Sequence, residues 1–168
     1  SAVPAAPAES LLSPSASLVA AAATMDASVA ALGSVLIARC VDDKPAVRRA
    51  ALIGFEGWVR TSGARVASSA VNTLRMRCQD TSPQIRKQAI KTLCAVLHAD
   101  FFSSSVRAAW LAGVLPLLRD PELSVTEAAL DALLEAVVQP LAGCAAKPEE
   151  AFATVGWALL QKLTAESE

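Results

Sequence analysis

The feature that most constrains this chain is an internal repeat of about 38 residues. The segment LIARCVDDKPAVRRAAL at 36–52 aligns with LRMRCQDTSPQIRKQAI at 74–90, displaced by 38 positions. A third copy, a further 40 positions along, has Thr126 where the first two copies have arginine, and it keeps Leu118, Asp120, Val125, Ala129, Leu130 and Leu133. Such a repeat predicts similar units stacked side by side, each contacting mainly its neighbours.

Each repeat is typical of two helices joined by a tight turn. In the second unit, apolar residues recur every four positions on a predicted first helix, at Val66, Ala70, Leu74 and Cys78. Ser82-Pro83 predicts the start of the second helix, because a cap residue followed by proline is a common helix beginning. Its predicted buried stripe is Ile85, Ala89, Leu93 and Val96 or Leu97. Alanine supplies 36 of the 168 residues, which favours closely packed helices.

The repeat length and the two-helix unit predict the fold class. They exclude the 34-residue tetratricopeptide and 33-residue ankyrin periods, and they predict an all-α HEAT-repeat (armadillo-like) α-solenoid of about three and a half helix pairs. We place a flexible Pro/Ala/Ser-rich lead-in at 1–15 and the HEAT-repeat segment at 16–168, with units at about 25–62, 64–99, 104–139 and a partial unit at 148–165. We expect a first helix over 25–39, a loop over 140–147 and a last helix from Pro148. The partial unit leaves a stacking face uncovered, so we expect a longer solenoid or a docked partner.

A second pattern places an aspartate in each turn and an arginine six residues later in the first two units. The arginines are Arg48 and Arg86, and the aspartates are Asp42, Asp80 and Asp120. We expect each aspartate to accept hydrogen bonds from turn amides and to pair with the arginine of its own or a neighbouring unit. Since an exposed pair contributes about 0–1 kcal/mol, its main effect would be to fix the stacking geometry.

The formal net charge of −1 conceals a charge polarity along the chain. Residues 39–107 contain 12 Lys or Arg and 5 Asp or Glu. Residues 108–168 contain 3 Lys or Arg and 9 Asp or Glu. The candidate contacts to a DNA backbone are Arg48, Arg49, Arg86, Lys87 and Lys91. The candidate acidic partner-binding face is Glu127, Asp131 and Glu135. A solvated charged surface remains the alternative for both sets.

Several function classes lack their sequence signals. The four cysteines form no CxxC pair and the chain has one histidine, so we expect free thiols and no metal site. No glycine-rich phosphate loop, HExxH or GxSxG motif is present, so we expect no catalytic residues and no cofactor. A HEAT-like DNA glycosylase would need Trp, Arg and Asp in one pocket, and the three tryptophans lie on different units. The Ala-rich stretch 17–38 contains Asp26 at its centre, so we expect no membrane span.

Particular strings resemble a known family. RCQD at 77–80 with IRKQA at 85–89, and AWLAGVLP at 109–116, resemble the large HEAT-repeat (CAP-D type) regulatory subunits of condensin II. RCVD at 39–42 with VRRAAL at 47–52 is similar to the preceding repeat of those subunits, and ALL at 158–160 to the segment that follows. The resemblance covers about residues 35–165, and the homologous subunits of condensin I are similar as well.

This resemblance implies a non-catalytic scaffold and DNA clamp. The implied partners are a kleisin subunit, a second HEAT subunit and a pair of SMC ATPases, together with double-stranded DNA bound through its backbone. The implied location is the nucleus, on chromosomes, where such a complex promotes mitotic chromosome condensation. An alternative with the same fold is an adaptor of nuclear transport or phosphatase assembly, whose acidic residues would bind a basic peptide segment.

Overall fold

The protein is built from helices joined by short turns. The computed structural model describes residues 16–63, 65–143 and 155–165. A 3₁₀ turn (Leu115–Arg119) precedes the sixth helix and a π turn (Leu134–Val138) follows it. The helices are α1 (Ala16–Arg39), α2 (Pro45–Ser62), α3 (Ser68–Arg77), α4 (Pro83–Ala99), α5 (Ser104–Val114), α6 (Leu123–Leu133), α7 (Gln139–Gly143) and α8 (Val155–Ala165). These residues contain no strand, and the predicted all-α fold is confirmed.

The helices stack in two layers. The second helices of the three repeats pack in order, α2 against α4 and α4 against α6. The first helices form the other layer, in which α3 packs against α5, while α1 packs chiefly against α2. The helix α8 packs against α5 and the π turn. The result is a solenoid in which each unit buries its apolar stripe against the next.

The core follows the apolar stripe predicted for the second helices. The stripe predicted for α3 was partly wrong, because Val66 precedes the helix and Val71, not Ala70, is the buried residue beside Leu74. On α4 the side chains of Ile85, Ala89 and Leu93 are at most 1% exposed. Equivalent alanines occupy the same close-packed position in the three repeats, and Ala51, Ala89 and Ala129 are all buried. A side chain larger than a methyl group at these positions would separate neighbouring helices, because protein interiors are packed without spare volume.

The first helix is longer than predicted. α1 begins at Ala16, nine residues before the expected start at Met25. The extension, ASLVAAAAT at 16–24, contains no Gly or Pro and is rich in alanine, which is the best helix former. The start that we took from the repeat alignment was wrong because helix propensity carries this helix beyond the repeating unit.

The predicted loop at 140–147 was wrong at its start. Pro140 lies at the second residue of α7, directly after the π turn. The helical run is unbroken from Leu123 to Gly143, so Pro140 lies inside it, where its missing N–H removes one backbone hydrogen bond. The π turn directly before it, in which the Gln139 amide donates to the carbonyl oxygen of Leu134, lies where the regular bonding is interrupted. Residues 141–143 of the predicted loop are helical as well, in α7, whereas the lead-in at 1–15, residues 144–147 with Cys144, and the expected helix start at Pro148 lie outside the described residues.

An indole ring packed on a glycine fixes α1 to α2. Trp58 donates its Nε1 hydrogen to the carbonyl oxygen of Val29 at 2.8 Å. A β-carbon at Gly33 would lie 2.6 Å from Cζ2 of the same indole. Only glycine therefore lets α1 approach the ring this closely at position 33.

Candidate partner and nucleic-acid surfaces

The turn of the second repeat is built around the carboxylate of Asp80. This turn follows α3, and Asp80 Oδ1 accepts a hydrogen bond from the Ser82 amide at 3.0 Å. Arg48, on α2 of the first repeat, donates from Nε to Oδ2 at 2.8 Å and from Nη2 to Oδ1 at 3.0 Å. The third guanidinium nitrogen of Arg48 donates to the carbonyl oxygens of Asp42 and Asp43, both at 2.9 Å. One arginine thus closes its own turn and binds the next one.

The same arrangement recurs one repeat later. Arg86 donates from Nε and Nη2 to the two carboxylate oxygens of Asp120, both at 2.7 Å. Its Nη1 donates to the carbonyl oxygen of Asp80 at 2.9 Å, as Arg48 does in its own turn. Asp120 Oδ1 also accepts from the Glu122 amide at 2.9 Å. We call this series of aspartate turns and arginines the ladder; it fixes the register between adjacent units.

The ladder changes at Thr126, which stands where the earlier repeats have arginine. Its hydroxyl donates to the carbonyl oxygen of Asp120 at 3.1 Å. The threonine therefore keeps the local bond that closes the turn. Its side chain is too short to reach a carboxylate in a following unit, so the cross-repeat half of the pattern ends in the third unit.

The pKa values of Asp80 and Asp120 are lowered by the hydrogen bonds of the ladder. Burial by itself would raise the pKa of Asp80, but hydrogen bonds from Arg48 and the Ser82 amide lower that pKa below its ordinary value. For Asp120 the hydrogen bonds from Arg86 are the largest influence, and its pKa is also lowered. Both carboxylates are held as anions by charge-assisted hydrogen bonds.

The five candidate DNA-binding residues divide into two groups. The donors of Arg48 and Arg86 are used by the ladder, and their side chains are only 10% and 12% exposed. These two arginines cannot serve as free phosphate contacts while the ladder is intact, because the same nitrogens would be needed for both. Repeat periodicity could not separate them from their neighbours on the helix.

The other three basic residues lie outside the ladder. Arg49 on α2 and Lys91 on α4 are exposed, and Lys87 is half-buried. We call Arg49, Lys87 and Lys91 the basic column. In the part of the chain that the structure describes, none of them has an ion-pair partner. Their charges are therefore available to a ligand.

The three candidate acidic residues continue the same helix layer. Glu127 and Asp131 are exposed on α6, and Glu135 is exposed on the π turn. Lys91, Asp131 and Glu135 line one groove, of about 390 Å³, which runs between α2, α4 and α6. Cationic and anionic side chains thus share a single concavity on the face of the second helices.

The groove has a polar boundary that we did not predict from the sequence. Glu56 on α2 accepts from Arg60 Nε at 3.1 Å and from Gln88 Nε2 of α4 at 2.7 Å. The i,i+4 spacing of Glu56 and Arg60 was a usable sequence signal. The Gln88 bond crosses between repeats over 32 residues and has no such signal.

Cys40, Cys78, Cys94 and Trp110 lie in or against the packed core. Burial raises the pKa of the Cys40 thiol to about 11, that of Cys78 to about 12 and that of Cys94 to about 11. Trp110 is fully buried and donates its indole hydrogen to Cys94 Sγ at 3.3 Å.

Across residues 16–63, 65–143 and 155–165, His, Cys, Asp and Glu form no group that could hold a metal. No helix in these ranges has both the length and the apolarity needed to cross a membrane.

Comparisons with known proteins agree with the repeat and with the strings described above. Residues 33–163 match the family model described as "Sister chromatid cohesion protein PDS5 protein". The chain is 33% identical to "Condensin-2 complex subunit D3-L" of Xenopus laevis over 131 residues, which is 77% of this chain and 9% of that protein. It is 30% identical to "Condensin-2 complex subunit CAP-D3" of Arabidopsis thaliana over 123 residues, 72% of this chain and 9% of that protein.

Two facts limit what these similarities show. The chain spans about 9% of the length of the curated relatives that it matches. No solved structure gives a significant match. The resemblance to condensin II subunits that the sequence strings indicated is confirmed by both relatives, which are named as condensin-2 subunits.

Proposed function

The chain belongs to the family of the sister chromatid cohesion protein PDS5, and on this premise we propose that it is a non-catalytic scaffold segment of a condensin-type SMC complex. The observation that carries the proposal is the similarity to two proteins named as condensin-2 complex subunits. The stacked helices are consistent with it, because a solenoid offers long surfaces for partner binding and the described residues present no catalytic constellation. In this role the segment acts in the nucleus, on chromosomes, and contributes to mitotic chromosome condensation.

We assign DNA-backbone binding to the basic column. Arg49, Lys87 and Lys91 lie on α2 and α4, the second helices of two adjacent repeats. Basic side chains on adjacent parallel elements can neutralise successive phosphates, and the released counterions favour binding. Contacts of this kind position the protein on the duplex and carry no sequence information. Binding is therefore expected to be non-specific and to weaken steeply with salt.

The acidic face limits this DNA surface to the first two repeats. Glu127, Asp131 and Glu135 would repel a phosphate backbone that continued along the same helix layer. We assign these residues to a protein partner, namely a basic segment of the kleisin subunit. The SMC ATPase pair and the second HEAT subunit are the further partners in this proposal, and ATP hydrolysis belongs to the SMC pair.

A second candidate function is supported by the groove between α2, α4 and α6. Its lining combines Lys91 with Asp131 and Glu135 around the apolar side chains of Ile90, Ala128 and Ala132. A groove of this kind can hold an extended peptide with a basic residue at its acidic end. An adaptor of nuclear transport or phosphatase assembly would use it in this way, without any role for DNA.

The DNA assignment is tested by reversing charges on the basic column. We expect a Lys87→Glu/Lys91→Glu variant to bind a 30-base-pair duplex more weakly, irrespective of its sequence. If both lysines contact phosphates, the slope of log K against log salt becomes shallower by about 2. The charge-matched control is Arg65→Glu/Arg119→Glu, since both arginines are exposed and lie outside α2 and α4. Equal binding by wild type and the Lys87/Lys91 variant would contradict the assignment.

A further inference from the structure

A cleft of about 560 Å³ opens between α1, α2 and the start of α3. It exists because α1 packs chiefly against α2 and barely touches α3. Its floor contains Phe55 and the half-buried indole of Trp58, whose ring centroids lie 5.1 Å apart. The walls are formed largely by small or apolar residues, among them Ala30, Gly33, Ile37, Val66, Ala67 and Ala70. An aromatic floor between small side chains leaves room for a bound polypeptide backbone.

Stacking of a further helical unit on α1 would leave this cleft open. The cleft takes one side of α1, from Asp26 to Ile37. The opposite side of the helix carries exposed apolar residues, namely Met25, Leu32 and Val35. The two sides are about half a helical turn apart. A neighbouring helix would cover the exposed apolar side, because apolar residues are what a stacked helix buries.

An unpaired cation lies at one end of the cleft. Arg65 is exposed on the rim, just after the end of α2, and in the described residues it has no ion-pair partner. On α2, Gly54 lies against Leu36 of α1. One turn later Trp58 bonds Val29, so the two helices run antiparallel. Arg65 therefore lies beyond Trp58, toward the beginning of α1.

The segment before α1, which lies outside the described residues, contains a proline pattern that suits this cleft. Residues 3–9 read VPAAPAE, in which Pro4 and Pro7 are three positions apart. Prolines at this spacing favour a polyproline II helix and lie on the same side of it, because that helix has three residues per turn. Grooves lined by aromatic side chains bind such segments, since the helix is formed before binding and loses little entropy. Glu9 follows two residues later and carries a charge opposite to that of Arg65.

We propose that this cleft binds the Pro4–Pro7 segment of its own chain. The two prolines pack on the Trp58 ring, and Glu9 pairs with Arg65 at the end of the cleft. The segment runs antiparallel to α1, and Ser13-Pro14, a dipeptide that favours turns, lies where the chain reverses direction. Weak contacts suffice, because the linkage within one chain keeps the segment at a high effective concentration. The inference does not depend on the proposed condensin role or on the DNA surface.

The lengths of the two segments agree with this placement. Trp58 packs on Gly33, which lies about 26 Å from Ala16 along the helix axis at 1.5 Å per residue. The Pro4–Pro7 segment reaches about 28–37 Å from Ala16 at 3.1 Å per residue. Glu9 reaches about 22 Å at the same rise, so it falls short of the indole and lies toward the rim at the end of α2. The prolines can therefore lie beside the indole while the carboxylate lies at the charged rim.

The test is heteronuclear NMR of the full chain. The reporters are the Trp58 indole N–H and the Gly33 amide, and the indole of Trp110, buried on α5, is the internal reference. We expect Pro4→Ala/Pro7→Ala to shift both reporters and to leave the Trp110 signal in place. The matched control is Ala5→Ser/Ala6→Ser, which keeps both prolines and should leave the reporters close to their wild-type positions. A synthetic peptide of residues 1–12, added to the proline variant, should return both reporters toward those positions.

Charge reversal tests the pair at the rim. Glu9→Arg should shift the reporters in the same direction as the proline variant, and adding Arg65→Glu should restore them, because the pair is formed again with its signs exchanged. Since docking occurs within one chain, the signals should not change on dilution. Reporters that are insensitive to the proline replacement, or that move on dilution because a second copy supplies the segment, would overturn the proposal.

Discussion

Arg48 of the first repeat and Asp80 of the second form a bidentate ion pair across the boundary between two units, at 2.8 and 3.0 Å. The same arginine donates to two carbonyl oxygens of its own turn. Because one side chain satisfies both sets of acceptors, the conformation of one turn is coupled to the position of the next unit. Arg86 and Asp120 repeat the coupling at the following boundary.

Removing the charge of Asp80 should therefore destabilise the protein. We expect Asp80→Asn to lower the free energy of unfolding by about 2–4 kcal/mol, because Arg48 and Arg77 both donate to this carboxylate and would lose their counter-ion. Urea unfolding followed by far-UV circular dichroism measures this change. Asp43→Asn is the matched control, since that carboxylate is exposed, and it should change stability by less than about 0.5 kcal/mol. Equal stability of the two variants would show that the pair contributes little.

The lowered pKa values of Asp80 and Asp120 predict acid sensitivity. A carboxyl group whose pKa is lower in the folded protein favours folding above its unfolded value of 3.8, and this contribution is lost as the pH falls through the folded pKa. Unfolding midpoints in urea should therefore fall from about pH 5 downward. The slope should be shallower in an Asp80→Asn/Asp120→Asn variant. An unchanged slope would mean that other carboxylates cause the acid sensitivity.

Two helical glycines should respond in opposite ways to the same substitution. Gly33→Ala places a β-carbon 2.6 Å from the Trp58 ring and should loosen α1, with faster amide exchange and a shifted Trp58 emission. Gly57→Ala meets nothing within 4 Å and should stabilise the protein by up to about 1 kcal/mol through helix propensity. Thermal unfolding of both variants measures the contrast. If the Gly33→Ala variant were as stable as the Gly57→Ala variant, the close packing of α1 on the Trp58 indole described above would be contradicted.

The buried thiols should react slowly in the native protein. Their pKa values are raised by burial to about 11 for Cys40, 12 for Cys78 and 11 for Cys94, so the reactive thiolate is scarce at pH 8. In a Cys94→Ser/Cys144→Ser background, which removes the half-buried thiol of the groove, we expect Ellman's reagent to modify the fully buried Cys40 and Cys78 only as fast as the protein opens. In denaturant both should react within the mixing time. Fast native reaction at either of them would indicate that its helix is not packed as described.

The repeat made much of the architecture predictable, because residues 38 positions apart share the same packing environment. It also predicted that the turn aspartates would pair with arginines of their own or a neighbouring unit. It did not predict that one guanidinium serves both units, nor that Arg48 and Arg86 are thereby unavailable as DNA contacts. Sequence periodicity assigns residues to a helix face but does not report how deeply a long side chain folds back into a turn.

The differences at the two ends have separate physical causes. α1 begins at Ala16 because alanine propensity extends the helix, a property that the repeat alignment ignores. Pro140 lies inside a helical run that is unbroken from Leu123 to Gly143, directly after a π turn, so this proline does not mark the start of a loop. The bond between Glu56 and Gln88 joins two repeats and depends on the stacking geometry, which no local pattern encodes.

Purification of the tagged full-length protein from dividing cells, followed by mass spectrometry of the bound chains, tests the condensin assignment most directly. We expect recovery of a kleisin subunit, an SMC ATPase pair and a second HEAT subunit in comparable amounts. A nuclease-treated lysate is the control, because it removes proteins that are linked only through shared DNA. Recovery of transport cargo or a phosphatase catalytic subunit, with no SMC pair, would contradict the assignment and favour the peptide-binding adaptor.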